Sequence, residues 1–190
     1  MAKQFKTERA AQQQKLICDG LVALMGIKSY SDITVGSICA HIEIPRRTFY
    51  YYFNAKEEVL SFLIQQMLKE ADLQTMLMLN PSLFPIEEAF TGFFLYWRDH
   101  RRDELQALVK NGLEQELMTH CLNWVNEDFR NMPLPEGSTE EIRSVTIRLG
   151  ITCVFYTLID WCRNDFRQSP EYMADCVTRV MTKPLYIKPQ

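Results

Sequence analysis

Apolar residues recur at helical spacing along almost the whole chain, and strand-like alternation between turn residues never persists. One stripe between about residues 8 and 27 contains Leu16, Ile17, Leu21, Leu24 and Met25. Helical spacing also continues from Glu104 to about Arg130, and prolines interrupt the pattern at 81–85 and 132–137. A chain of 190 residues is long enough to bury a sizeable core. The pattern predicts an all-α protein of about nine helices.

Residues 34–53 have the spacing of two short helices joined by a tight turn, which is the helix-turn-helix arrangement. Thr34 can cap the first helix. Pro45 is tolerated in the first turn of the second helix, where its missing N–H costs nothing. Phe49 and Phe53 are four residues apart and share one face, so we expect them to anchor this helix to the core.

Arg46, Arg47, Tyr50 and Tyr51 lie mostly off that anchoring face. Arginine binds guanine edges in the major groove, and tyrosine hydroxyls reach phosphate oxygens. Residues 1–56 carry a net charge of +4, which leaves −7 for the remainder of a chain whose total is −3. The pattern predicts a nucleic-acid-binding head on an acidic body. The alternative is a tyrosine cluster that merely covers the core.

Residues 34–39 read Thr-Val-Gly-Ser-Ile-Cys, and residues 48–59 read Thr-Phe-Tyr-Tyr-Tyr-Phe-Asn-Ala-Lys-Glu-Glu-Val. With these motifs, residues 9–60 resemble the DNA-binding domain of the TetR family of bacterial transcriptional regulators. The resemblance implies a homodimer that binds a near-palindromic operator in double-stranded DNA, usually as a repressor. It also implies a three-helix DNA-binding head at 1–56 and an antiparallel helical bundle at 57–190 for ligand binding and dimerisation.

The resemblance also assigns roles to residues by position. Phosphate contacts fall to Thr34, Tyr50 and Lys56, and base contacts to Arg46, Arg47, Thr48 and Tyr51. Arg47 stands where the family commonly has glycine, so no operator sequence can be transferred. Residues 150–163 resemble part of the C-terminal domain of many Gram-positive members, some of which respond through a partner protein.

The helix predicted at about 142–166 is apolar on two sides. One stripe contains Ile142, Val145, Leu149, Cys153 and Tyr156, and the other contains Ile151, Phe155, Leu158, Trp161 and Cys162. A helix that is apolar on both sides must be covered on both sides. We therefore expect a homodimer through this helix and the last one, at about 170–182. The sequence leaves open which stripe faces the partner, and whether the helix is instead central in a monomer.

Aromatic and sulfur-bearing side chains in several helices can line a pocket for a small apolar or aromatic effector. The candidates are Phe90, Phe94, Trp97, Cys121, Trp124 and Phe155. The same residues can equally form a filled core.

Other classes of function find no support in the sequence. Common phosphate-binding and hydrolase motifs are absent, so we expect no enzyme, and dispersed cysteines and histidines predict no metal site, cofactor or disulfide. The apolar run at 149–162 spans about 14 residues, fewer than a membrane helix needs, so we expect a cytoplasmic protein. Two alternatives stay open: a coactivator-type regulator that acts through a partner protein without an inducer, and a ligand-binding bundle without DNA.

Overall fold

Nine α-helices make up most of the described chain. The structure, a computed structural model, describes residues 8–78, 86–128 and 139–182. The helices are α1 (Glu8–Ile27), α2 (Val35–His41), α3 (Arg46–Tyr52), α4 (Lys56–Met78), α5 (Ile86–His100), α6 (Arg102–Lys110), α7 (Glu114–Asp128), α8 (Glu140–Arg163) and α9 (Pro170–Thr182). A short 3₁₀ turn, Tyr30–Asp32, lies between α1 and α2. The all-α prediction is confirmed; the proline-marked boundaries at 81–85 and 132–137 lie outside the described residues.

Local side-chain signals start α2 and α3. The Thr34 hydroxyl accepts a hydrogen bond from the Ser37 N–H at 3.1 Å, and the Ser37 hydroxyl oxygen accepts one from the Thr34 N–H at 2.9 Å. This capping box satisfies two N–H groups at the start of α2. Pro45 is the N-cap of α3, so it lies just before the first turn and not within it as predicted.

Two helix boundaries depend on features other than apolar spacing. Asn54 donates its backbone N–H and its side-chain amide to the Glu58 carboxylate, and α4 begins at Lys56. The predicted continuous helix at 104–130 is broken into α6 and α7 at Gly112. Gly112 has φ +67°, a left-handed conformation that glycine adopts without a Cβ clash and that commonly ends helices.

The buried apolar side chains form one continuous cluster from Ile17 in α1 to Val177 in α9. In α1 the predicted stripe is buried except for Leu16, which is 41% exposed. The boundary predicted between residues 56 and 57 lies within the first turn of α4, and α4 packs against α1, α5 and α7. Head and body therefore share one core through α4.

The two apolar stripes of α8 lie in opposite environments. Phe155, Leu158, Trp161 and Cys162 are buried. The ring of Trp161 packs edge-on against Phe94 at 5.5 Å, and Phe155 packs against Phe93 at 5.6 Å. In contrast, Ile142, Val145, Leu149 and Tyr156 are 46–65% exposed. The body therefore covers one side of α8 and leaves the other side bare.

By length and composition alone, α8 is long and apolar enough to cross a membrane. The apolar run at 149–162 did not predict this, because α8 extends beyond that run at both ends. A core helix meets the same criterion. α8 packs against α6, α7 and α9 through its buried stripe, and 25% of its apolar window is buried.

Candidate nucleic-acid interface

Two phenylalanines anchor α3, as the sequence predicts. Phe49 and Phe53 are completely buried, and their ring centroids lie 6.0 Å apart. Phe53 also packs against Phe62 of α4 at 5.5 Å. Because both anchors lie on one side of a two-turn helix, the other side faces away from the core.

Exposed side chains of α3 lie off its buried side at Arg46, Arg47, Tyr50 and Tyr51, and we call these four residues the recognition face. All four are exposed, Tyr50 by 49% and Tyr51 by 58%, while Thr48 beside them is half-buried. Neither arginine makes a hydrogen bond or ion pair with any described residue. Their guanidinium donors are therefore available to an anionic partner.

The turn between α2 and α3 contains a residue in a strained conformation. Glu43 has φ +55°, in the left-handed region that disfavours side chains with a Cβ. The next residue, Ile44, donates its N–H to the Cys39 carbonyl at 3.0 Å and closes the turn. This turn holds the recognition face at a fixed angle to α2.

A close contact between α1 and the end of α2 fixes the position of α2. A Cβ built on Gly20 would lie 2.4 Å from Cγ2 of Ile42, so only glycine allows this approach.

Thr34 is exposed at the start of α2, and its hydroxyl oxygen is already used in the capping box.

Lys56 does not join the recognition face. Its ammonium group donates to the carbonyl oxygens of Tyr30 at 2.7 Å, Ser31 at 3.3 Å and Ile33 at 2.8 Å. These three bonds match its three N–H donors, and the side chain is half-buried. In this arrangement Lys56 holds the 3₁₀ turn to α4 and has no free donor for the phosphate contact that the resemblance implies.

Asn111, which sequence reasoning missed, ties the head to the body. Its side-chain oxygen accepts the Tyr30 N–H at 2.6 Å, and its side-chain amide donates to the Met25 carbonyl at 3.0 Å and the Ala107 carbonyl at 2.8 Å. The neighbouring Lys110 donates to the Gly26 carbonyl at 2.7 Å. The Asn-Gly pair at 111–112 was a visible helix-stop signal, but nothing local to it indicates a partner 81 residues away.

Tyr30 is central to this junction. Its hydroxyl is buried without a hydrogen-bond partner among the described residues, and burial, together with the charges of Glu57 and Glu116, raises the pKa of the phenol. A neutral phenol therefore lies against the core, beside Lys56 of α4.

The predicted effector residues lie in the body. Phe90, Phe94, Trp97, Cys121 and Phe155 are buried, and Trp124 is half-buried. The Trp97 ring packs edge-on against Phe155 at 5.8 Å, and its Nε1–H is buried with no hydrogen-bond partner in the described part of the chain. The aromatic rings described here thus fill the centre of the body, with one unsatisfied donor among them.

Two described clefts lie elsewhere, at the junction of head and body. One, of about 560 Å³, lies between α1 and α6, and the other, of about 470 Å³, adjoins α1, α4 and Arg101. None of the six effector candidates lines either of them. Arg101 is held there by Tyr96, Glu70 and Glu104.

No protein-family model matches the chain, and no curated protein matches its sequence. Solved structures do share its fold. A TetR transcriptional regulator from Streptococcus agalactiae 2603V is 16% identical, with a TM-score of 0.59 over 91% of this chain and 95% of the other. The regulator FadR from Bacillus subtilis in complex with stearoyl-CoA is 16% identical, with a TM-score of 0.58 over 90% and 99%.

The dihydroxyacetone kinase operon activator DhaS is also similar, at 17% identity, with a TM-score of 0.55 over 89% of this chain and 93% of the other. Identities this low carry information on architecture. The chain therefore has the all-α fold of TetR-type transcriptional regulators.

Proposed function

We propose that this protein is a TetR-type, DNA-binding transcriptional regulator that acts in the cytoplasm as a homodimer. The observation that carries the proposal is the recognition face. A helix anchored by Phe49 and Phe53 presents two arginines that pair with no described residue and two exposed tyrosines, in a head with a net charge of +4. A helix placed in this way enters the major groove in helix-turn-helix proteins, where arginine reads guanine.

The bare stripe of α8 supports the dimer. Val180 and Met181 of α9 are also exposed, and a Cβ on Gly150 would lie 3.1 Å from Cε of Met181, so the two bare surfaces adjoin. We call this combined surface, with Ile142, Val145, Leu149 and Tyr156, the α8–α9 seam. A self-complementary seam gives two-fold symmetry, and two heads related by a two-fold axis suit a palindromic operator.

Repression with release by an apolar or aromatic effector is the regulation we favour. FadR from Bacillus subtilis, which shares the fold, was solved with stearoyl-CoA. In this chain the site would lie among Phe90, Phe94, Trp97, Cys121, Trp124 and Phe155, with the unsatisfied Trp97 N–H as donor to a polar atom of the effector. The aromatic rings would have to separate to admit it.

The close packing of those rings favours a second candidate: a coactivator-type regulator that responds to a partner protein and has no small-molecule inducer. DhaS, which shares the fold, is an operon activator. A panel of apolar compounds separates the two candidates, since an inducer raises the Tm of the protein and releases DNA.

Selection of binding sites from random duplex DNA, followed by gel-shift measurements, tests the proposed function. The wild type should enrich a palindromic site. Arg47→Ala should weaken binding to that site by about 1–3 kcal/mol per half-site. Lys69→Ala, an exposed substitution on α4, is the matched control and should bind as the wild type does. No enriched site and no shift, with or without cell extract, would contradict the proposal.

A further inference from the structure

The Arg46 side chain lies against the backbone of a residue on the other helix of the helix-turn-helix. A Cβ built on Gly36 would lie 2.5 Å from Nη2 of Arg46, 3.2 Å from Cζ and 3.5 Å from Nε. The whole guanidinium group therefore lies over the Cα of Gly36. Any larger residue at position 36 would occupy this place.

Gly36 belongs to α2, whereas Arg46 is the first residue of α3. Although Arg46 belongs to the recognition face by its position, its side chain thus reaches back across the turn and lies against α2. The electrostatic influence of Arg46 on Cys39 of α2 agrees with this placement: burial raises the pKa of the Cys39 thiol, and the nearby Arg46 charge opposes that rise. Arg47, the next residue of α3, is exposed, and the three atoms nearest to a Cβ on Gly36 all belong to Arg46.

The two helices of a helix-turn-helix meet different parts of DNA. The second helix lies in the major groove, while the first crosses the sugar-phosphate backbone. A guanidinium group held on α2 is therefore placed at the backbone, and one that projects from α3 is placed at the bases. Arg46 remains exposed and makes no hydrogen bond or ion pair with described residues, so its donors are free for a phosphate.

We propose that Gly36 seats Arg46 on α2, so that Arg46 binds a backbone phosphate and Arg47 alone is the base-reading arginine of α3. This inference rests on the proposed function and refines it, because sequence position alone assigns both arginines to bases. The specificity of the protein then depends on a glycine that contacts no base.

The first test compares Arg46→Ala and Arg47→Ala on the selected operator and on sites with single base-pair changes, each at two salt concentrations. Arg46→Ala should weaken binding to every sequence about equally and should lower the salt slope of a dimer by roughly two, since two phosphate contacts are lost. Arg47→Ala should relax the preference at one base pair of each half-site. Relaxed base preference in Arg46→Ala would overturn the assignment.

The second test needs no DNA. Alanine is more favourable than glycine inside a helix, so Gly36→Ala should raise the Tm when Arg46 is alanine. With Arg46 present, the rise should be smaller or absent, because the new Cβ must displace the guanidinium group. Gly26→Ala is the control, since a Cβ there meets nothing within 4 Å, and its effect should be the same in both backgrounds. Equal effects of Gly36→Ala on the Tm in both backgrounds would contradict the proposed position of the Arg46 side chain over Gly36.

The two tests distinguish a failure of the proposed function from a failure of the inferred contact between Gly36 and Arg46. A wild type that selects no DNA site would remove the proposed function and the phosphate role of Arg46 together. The Tm comparison would still decide whether Gly36 seats the side chain.

Discussion

The ammonium group of Lys56 lies 4.4 Å from the ring centroid of Tyr30 and donates a hydrogen bond to the carbonyl oxygen of the same residue at 2.7 Å. The backbone N–H of Tyr30 in turn donates to Asn111 of the body. One residue of the 3₁₀ turn therefore links the first residue of α4 to the end of α6. The hydrogen bonds of Tyr30 therefore connect the end of α6 directly to the head.

Removal of the Lys56 ammonium group should destabilise the protein. Lys56→Ala removes one hydrogen bond from each of three carbonyl oxygens and removes the contact with the Tyr30 ring, although the Tyr30 carbonyl still accepts the Ile33 N–H. We expect a loss of about 1–3 kcal/mol in the free energy of unfolding, measured by urea titration. Lys69→Ala, an exposed change on the same helix, should have little effect. Unchanged stability with a salt slope of DNA binding lowered by about two would instead identify Lys56 as a phosphate contact.

Loss of the Asn111 side chain should also destabilise the protein, because Asn111→Ala leaves the Tyr30 N–H and the Met25 carbonyl without their partner. The expected cost is again about 1–3 kcal/mol in the free energy of unfolding. Asn123→Ala, at an exposed position of α7, is the control for the same chemical change. If both variants unfold at the same urea concentration, the link between head and body is not significant for stability.

Glu43→Gly should stabilise the protein. Glu43 holds φ +55°, and the left-handed conformation costs an L-residue about 1–2 kcal/mol, which glycine avoids. Part of that gain is offset by the greater freedom of glycine in the unfolded chain, so we expect a net gain of about 0.5–1 kcal/mol. Ala40→Gly, at an exposed position within α2, should have the opposite effect. A lower Tm for Glu43→Gly would show that the Glu43 side chain stabilises the turn.

Leu149→Asp should separate the dimer. Leu149 is 65% exposed in the isolated chain, so the substitution leaves the fold of the protomer intact but places a charge in the α8–α9 seam. Sedimentation should give twice 22.3 kDa for the wild type and 22.3 kDa for the variant, with weaker binding to a palindromic site. Ile27→Asp, at a position that is 76% exposed on α1, should remain dimeric. A dimeric Leu149→Asp protein would place the interface elsewhere.

Stability should fall on acidification partly because of His120. Burial lowers the pKa of His120 in the folded state, while the Glu116 charge opposes this shift. The unfolded chain then binds the proton more readily, so stability is highest above pH 6.5 and is lost as the pH falls towards the folded-state pKa. The Tm should be lower at pH 5.5 than at 7.5, and His120→Asn should reduce that difference. His41→Asn, at an exposed position, should leave it unchanged.

The helices and the anchoring of α3 were predictable because their signals are local. The spacing of Phe49 and Phe53 states which side of α3 is buried, and Thr34 marks the start of α2 through a bond to a residue three positions on. The two stripes of α8 were equally visible. The sequence could not say which stripe faces the body, because periodicity defines a face and not what covers it.

Tertiary structure decided what the individual polar residues do. Lys56 donates to a carbonyl oxygen 26 residues away, and the Tyr30 N–H donates to a side chain 81 residues away. No local sequence pattern around Lys56 or Tyr30 indicates these partners. Arg46 and Arg47 are adjacent and chemically identical, yet the three atoms nearest to a Cβ built on Gly36 all belong to Arg46. Helical propensity and apolar spacing are properties of neighbouring residues, whereas the direction of a long charged side chain depends on which groups the fold brings within its reach.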